Sequence, residues 1–160
     1  AHWERALALP APVLADRPLD PARDTAGAAR RLTRTLSADI TGPLLDRVPG
    51  ALNASVHEVL VTALAIALEH RAHHRGGEAD AGVLIDVEGH GRQEIAEGLD
   101  LSRTVGWFTT IRPARLRPGV DDWGALWEGG PEAGRVLRTV KEQLRDVPDE
   151  GIGYGLLRHL

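Results

Sequence analysis

A chain of 160 residues with 42% hydrophobic residues is long and apolar enough to fold around a core of its own, which excludes disorder as its default state. The net charge of −4, with Lys and Arg scattered singly, argues against a polyanion-binding surface, so neither nucleic acid nor a membrane is expected as a partner. The absence of cysteine removes disulfides, thiolate metal sites and thiol nucleophiles, and no apolar run approaches the roughly 20 residues that span a bilayer; a cytoplasmic protein is expected.

There is no methionine, so Ala1 is expected to continue from a longer natural sequence. His2 to Leu9 has helical composition with Trp3, Ala6 and Leu7 on one face. Pro10, Pro12, Pro18 and Pro21 then predict an extended connector, because proline blocks helix and ladder alike. Imperfect alternation over Ala29 to Leu36 (Leu32, Thr33, Thr35, Leu36) predicts a half-buried strand. Ser37 is placed to cap a short helix carrying Ile40, Leu44, Leu45 and Val48.

Ser55 and Glu58 form a capping box ahead of Val56, Val59, Leu60, Ala63, Leu64, Ala67 and Leu68, which repeat at helical spacing and predict a buried core helix. Its end carries His70, Arg71, His73, His74 and Arg75, cations suited to the negative end of a helix dipole, and Gly76-Gly77 stops it. Asp80 leads into an unbroken apolar run, Ala81 to Val87, read as a central strand covered on both faces. A short acidic helix at Glu94 to Gly98 and a strand at Thr109 to Leu116 follow, Pro113 placing that strand at an edge or bulge. Pro131 opens a second helix whose face is Ala133, Val136, Leu137, Val140 and Leu144 and which ends near Val147-Pro148. Leu156 to Leu160 reads as the opening of a helix cut short. Alternating helices and strands predict an α/β or α+β layered fold.

The chemistry concentrates where the apolar strand ends in Asp86-Val87-Glu88-Gly89-His90-Gly91-Arg92. Glu88 can be read as a structural carboxylate paired with Arg92 four positions on, or as a general acid or base tuned by burial and by Arg92. His90, between two glycines, reads as a turn residue. His73-His74 with Glu78 imitates an HHxxxE motif, but it lies on the charged end of a helix. His70, His73 and His74 share a face without an obvious acidic or thiol ligand, so a solvated helix end is expected and no metal site.

Three segments in order, Val87-Glu88-Gly89-His90-Gly91-Arg92, then Arg103 to Thr109 (RTVGWFT), then Pro148 to Arg158 (PDEGIGYGLLR), closely resemble successive motifs of the epimerization domains of nonribosomal peptide synthetases. The resemblance implies a chloramphenicol-acetyltransferase-like α/β lobe, an α+β two-layer sandwich. That lobe is half of a V-shaped two-lobe pseudo-dimer related to condensation domains, with a tunnel between the lobes. Residues 1–29 are similar to the inter-lobe crossover, a helix end and Pro-rich connector, and residues 30–160 to the C-terminal lobe, truncated at its end. The activity implied is inversion, L to D, at the α-carbon of an aminoacyl or peptidyl thioester carried on the phosphopantetheine arm of a peptidyl carrier protein domain; no cofactor is expected to bind the chain directly.

By the same resemblance Glu88 acts as acid or base opposite a histidine of an HHxxxD motif in the N-terminal lobe, and Arg92 and Tyr154 match further residues of the site. The Tyr154 hydroxyl is suited to donate to the thioester oxygen, where enolate charge gathers. His90, Trp107, Phe108 and Thr109 are expected along the tunnel, Trp107 and Phe108 as drying walls. Gln93 departs from the pattern, which commonly has glutamate there. Two other readings stand beside this one, a condensation-type lobe that joins two carrier-bound acyl groups and a noncatalytic module that docks a carrier protein. The isolated lobe is expected to be inactive, since half the site lies elsewhere.

Overall fold

The computed structural model describes residues 2–9, 17–76 and 81–160. Six α-helices and one two-stranded sheet are present among them: α1 (His2–Leu7), α2 (Ala38–Leu52), α3 (Val56–His74), β1 (Val83–Gly89), β2 (Thr110–Leu116), α4 (Trp123–Trp127), α5 (Pro131–Arg145) and α6 (Gly153–His159). The strands are antiparallel, with Val83 opposite Leu116, Val87 opposite Arg112 and Glu88 opposite Ile111.

Strand alternation decides what covers the sheet. Val87, Ala114 and Leu116 share a face and join Ala65 of α3 and Val140 and Leu144 of α5 in the core, with Val61 and Ile85 at its margin. On α5 the apolar spacing translates directly, since Val136, Leu137, Val140 and Leu144 are its buried residues. Arg115 has the opposite parity on β2 and donates to the carbonyls of Ala6 (2.7 Å) and Leu9, which ties α1 to the other side of the sheet.

The capping box of α3 forms as its residues predict: the Ser55 backbone N–H donates to Glu58 Oε2 (2.6 Å) and the Glu58 N–H to Ser55 Oγ (3.1 Å). The buried stripe of α3 differs from the expected one. Glu58, Thr62, Ala65 and Glu69 face inward, while Leu60 and Leu64 are about half exposed. The helix is apolar all round, so periodicity singles out no face, and the inward polar groups each find partners. Thr62 Oγ1 donates to the Glu58 carbonyl (2.7 Å), and Glu69 accepts from the backbone N–H groups of Gly119 and Val120 (3.4 and 3.2 Å).

Three further expectations are corrected. Residues 29–36 form no strand; they are exposed and pair with neither β1 nor β2. The acidic helix at 94–98 is a turn, because the Gly98 N–H donates to the Glu94 side chain (3.3 Å) instead of extending a helical ladder, and Gly98 takes φ +79°. β1 begins at Val83 and is paired along one edge only among the described residues, with Asp86 and Glu88 exposed, so it is not covered on both faces. The helix after Ser37 runs to Leu52, longer than expected, despite Pro43 and Pro49. Of the proline connector, Pro18 and Pro21 lie outside regular structure, whereas Pro10 and Pro12 fall outside the described residues, as do Gly77, Glu78 and Asp80.

Candidate active site

The end of β1 opens onto a cleft of about 840 Å³, bounded by the first turn of α3, the last turn of α5 and the turn before α6. Glu88, His90, Gln93, Arg112 and Glu150 line it, with His57 facing them from α3. The Glu88 side chain is exposed at its mouth, and no hydrogen bond or ion pair among the described residues holds its carboxylate.

The expected Glu88–Arg92 pair does not form. The Arg92 guanidinium turns away and donates to the backbone carbonyls of Leu101 (2.6 Å), Thr104 (2.9 Å) and Gly106 (3.4 Å), with its carbon 4.4 Å from the centre of the Phe108 ring. A planar five-donor group suits three carbonyls and an aromatic face together. Arg92 therefore pins the 101–106 loop. Gly91 makes the close approach possible: its φ is +65°, and a Cβ there would lie 1.6 Å from the Phe108 carbonyl oxygen. The Arg92 N–H donates to His90 Nδ1 (3.0 Å), which leaves Nε2 as the protonated nitrogen of a neutral ring.

Arg112 is a residue that sequence reasoning passed over. It shares the core-facing parity of Ala114 and Leu116, and its Nη1 is buried without a hydrogen-bond partner among the described residues, as are Gln93 Oε1 and Thr110 Oγ1. Burial lowers the Arg112 guanidinium from its ordinary value, and the charge of Glu150 works against that shift. Gln93 Nε2 donates to Glu150 Oε2 (3.0 Å), so β2, the segment after Arg92 and the 148–151 turn meet at one point. That turn is strained, with Asp149, Glu150 and Gly151 at φ +48°, +52° and +87°. The detectable signal was a lone arginine at a core-parity position of an apolar strand.

Across the cleft, Arg145 Nε and Nη2 donate to Glu58 Oε1 (2.6 Å) and Oε2 (3.1 Å), joining the end of α5 to the start of α3. Burial alone would raise the Glu58 carboxyl, but the bonds from Arg145 and Ser55 hold it below its ordinary value. Tyr154 is not among the residues that line this cleft. Its ring sits 4.9 Å from that of Trp3, and its hydroxyl accepts from Arg158 Nη1 (3.0 Å). Trp107 is 92% exposed, Thr109 is exposed, and Phe108 is half-buried beneath Arg92. Of the expected site residues, the structure brings Glu88 and His90 to one cleft, whose lining does not include Arg92, Trp107, Phe108, Thr109 or Tyr154.

Among the described residues no group of three His, Cys, Asp or Glu could hold a metal ion, and no single helix is long and apolar enough to cross a membrane.

The family model described as the condensation domain matches residues 1–160. A linear gramicidin synthase polypeptide of Brevibacillus parabrevis is 39% identical over 160 residues, all of this chain and 2% of that protein. Bacitracin synthase 1 of Bacillus licheniformis is 33% identical over 159 residues, 99% of this chain and 3% of that protein. The chain thus spans only a few hundredths of the length of these relatives. Among solved structures, the epimerization domain from the third module of tyrocidine synthetase B is similar at 34% identity with a TM-score of 0.60, over 78% of this chain and 24% of that one. The chain belongs to the condensation-domain family and shares the fold of a solved epimerization domain.

Proposed function

We propose that this chain is the C-terminal lobe of an epimerization domain, which inverts the α-carbon of an aminoacyl or peptidyl thioester held on the phosphopantetheine arm of a carrier protein domain. The observation that carries the reading is Glu88, an unpaired carboxylate at the end of β1 on an open cleft, set in the Glu88-Gly89-His90-Gly91-Arg92 segment. Inversion requires one group to take the α-proton and another to return a proton to the opposite face, while the thioester oxygen carries the enolate charge between the two steps. Glu88 fills one proton-transfer role, and a histidine of the HHxxxD motif in an N-terminal lobe fills the other. Arg92 shapes the wall of the tunnel by holding the 101–106 loop. Arg112 sets the 148–151 turn, and through it the helix bearing Tyr154. The parent synthetase works in the cytoplasm on carrier-bound intermediates.

The condensation reading retains one support, the family model itself, whose description is the condensation domain. The two readings separate on product. The two-lobe protein is given a carrier loaded with an L-aminoacyl thioester, with and without a second loaded carrier, and the released acids are resolved on a chiral column. Epimerization yields a mixture of L and D residues from the single carrier. An L-only residue together with a new dipeptide on the second carrier would establish condensation instead, and carrier binding with neither product would leave a docking module.

A further inference from the structure

The end of α3 remote from the cleft carries a group that the proposed reaction does not use. His70 and His74, one turn apart, bring their Nε2 atoms to 2.9 Å, with ring centres 4.2 Å apart. One proton can lie between two such nitrogens, and one ring must then accept. Imidazole nitrogens bind first-row divalent metals at about 2.0–2.1 Å, so two of them at right angles around one ion stand about 2.9 Å apart, whereas a tetrahedral ion needs about 3.4 Å. The 2.9 Å spacing is that of an N–H···N hydrogen bond, and it brings both nitrogens within reach of one ion.

The His70 ring is also held in place. His70 packs edge-on to Trp123 and Trp127, at 4.8 and 5.3 Å between ring centres, and the two indoles stack at 5.9 Å. Asp122 fixes the start of their helix by accepting from the Ala125 N–H (3.0 Å). Below His70, the buried Glu69 secures the loop that leads into that helix through Gly119 and Val120. Less rotamer freedom then remains to be lost when both rings bind one ion.

We propose that His70 and His74 form a two-imidazole chelate for a divalent transition cation of tetragonal preference, Cu²⁺ before Ni²⁺, in which the metal replaces the proton shared by the two rings. The cation order follows from the general affinity series for nitrogen ligands. The protein supplies two ligands and solvent the others, which fits the absence of a third His, Asp or Glu at metal distance among the described residues. Thirteen residues of helix separate His70 from His57 at the cleft, about 20 Å along the axis, so the site stands apart from the proposed chemistry.

The test titrates the chain with CuCl₂, NiCl₂ and ZnCl₂, with calorimetry for affinity and tryptophan fluorescence for location. Cu²⁺ is expected to bind one equivalent most tightly and to quench the emission of Trp123 and Trp127 beside the site, while Trp3 and Trp107 supply an unquenched remainder. His74 is exposed, so His74→Gln preserves the fold, which a circular-dichroism melt verifies, and is expected to weaken Cu²⁺ binding about a hundredfold through loss of the chelate. His73→Gln is expected to leave binding unchanged. Undiminished Cu²⁺ affinity in His74→Gln, loss of binding in His73→Gln, or zinc bound as tightly as copper would each overturn the proposal.

Discussion

Arg112 and Gly151 occupy adjoining space so closely that a Cβ on Gly151 would lie 1.7 Å from Arg112 Cδ. An arginine on β2 thus dictates a glycine 39 positions later, in the strained turn that starts the segment bearing Tyr154. Gly151→Ala is expected to destabilise the chain by at least about 2 kcal/mol, since it combines overpacking with a side chain at positive φ. Arg112→Ala in the same background is expected to recover part of that loss by opening the space. Urea unfolding of the two single variants and the double variant measures the coupling, and strictly additive effects would contradict the contact.

Leu116 is 1% exposed in the shared core of α3, α5 and the sheet. Leu116→Ala is expected to cost about 2–5 kcal/mol, with the denaturant slope unchanged. A loss below about 1 kcal/mol would mean that the sheet face is not packed as described.

Arg92 holds three carbonyls that a lysine ammonium, a single point of charge, cannot reach together. Arg92→Lys is expected to speed amide exchange across residues 101–106 and to lower inversion by the two-lobe protein by about a hundredfold, the effect of misplacing a wall by about 1 Å. Unchanged exchange in that loop would show that the three bonds do not hold it.

Two carboxylates give the chain an acid-sensitive stability. The Arg135 guanidinium beside Glu132, with help from the Asp121 N–H, holds the Glu132 carboxyl down at about 2, and Glu58 is lowered in the same direction. A carboxyl whose folded value lies below its unfolded value of about 4.3 contributes stability above that unfolded value and loses it as pH falls through the folded one. The urea midpoint is therefore expected to decline between about pH 4.5 and 2. Glu58→Gln with Glu132→Gln should flatten that decline, and an equal or steeper one in the double variant would contradict the linkage.

What the residues announce and what they conceal follow from where the information lies. The capping box of α3, the apolar face of α5 and the two paired strands are legible because each rests on local spacing. The inward face of α3 is not, since apolar residues ring the helix and tertiary contacts with Arg145, Gly119 and Val120 decide which side turns in. The strand expected at 29–36 does not form, because a strand needs a partner to pair with and no local pattern reports whether one is at hand. Within the candidate site, the motif marks Glu88 and Arg92 but not their relation. Their four-residue spacing implies a pair, whereas the turn at Gly91 sends the guanidinium to carbonyls 9 to 14 residues further on. Tyr154 likewise carries its motif in the sequence, but its packing against Trp3 depends on a helix 151 residues earlier.

The most direct measurement of the central claim is solvent deuterium incorporation at the α-carbon of a carrier-bound aminoacyl thioester, made with the two-lobe protein and its Glu88→Gln variant. Glu88 removing or returning the α-proton requires that the variant lose nearly all incorporation and inversion while binding the loaded carrier as tightly as the parent. Incorporation by Glu88→Gln at the parent rate would contradict it.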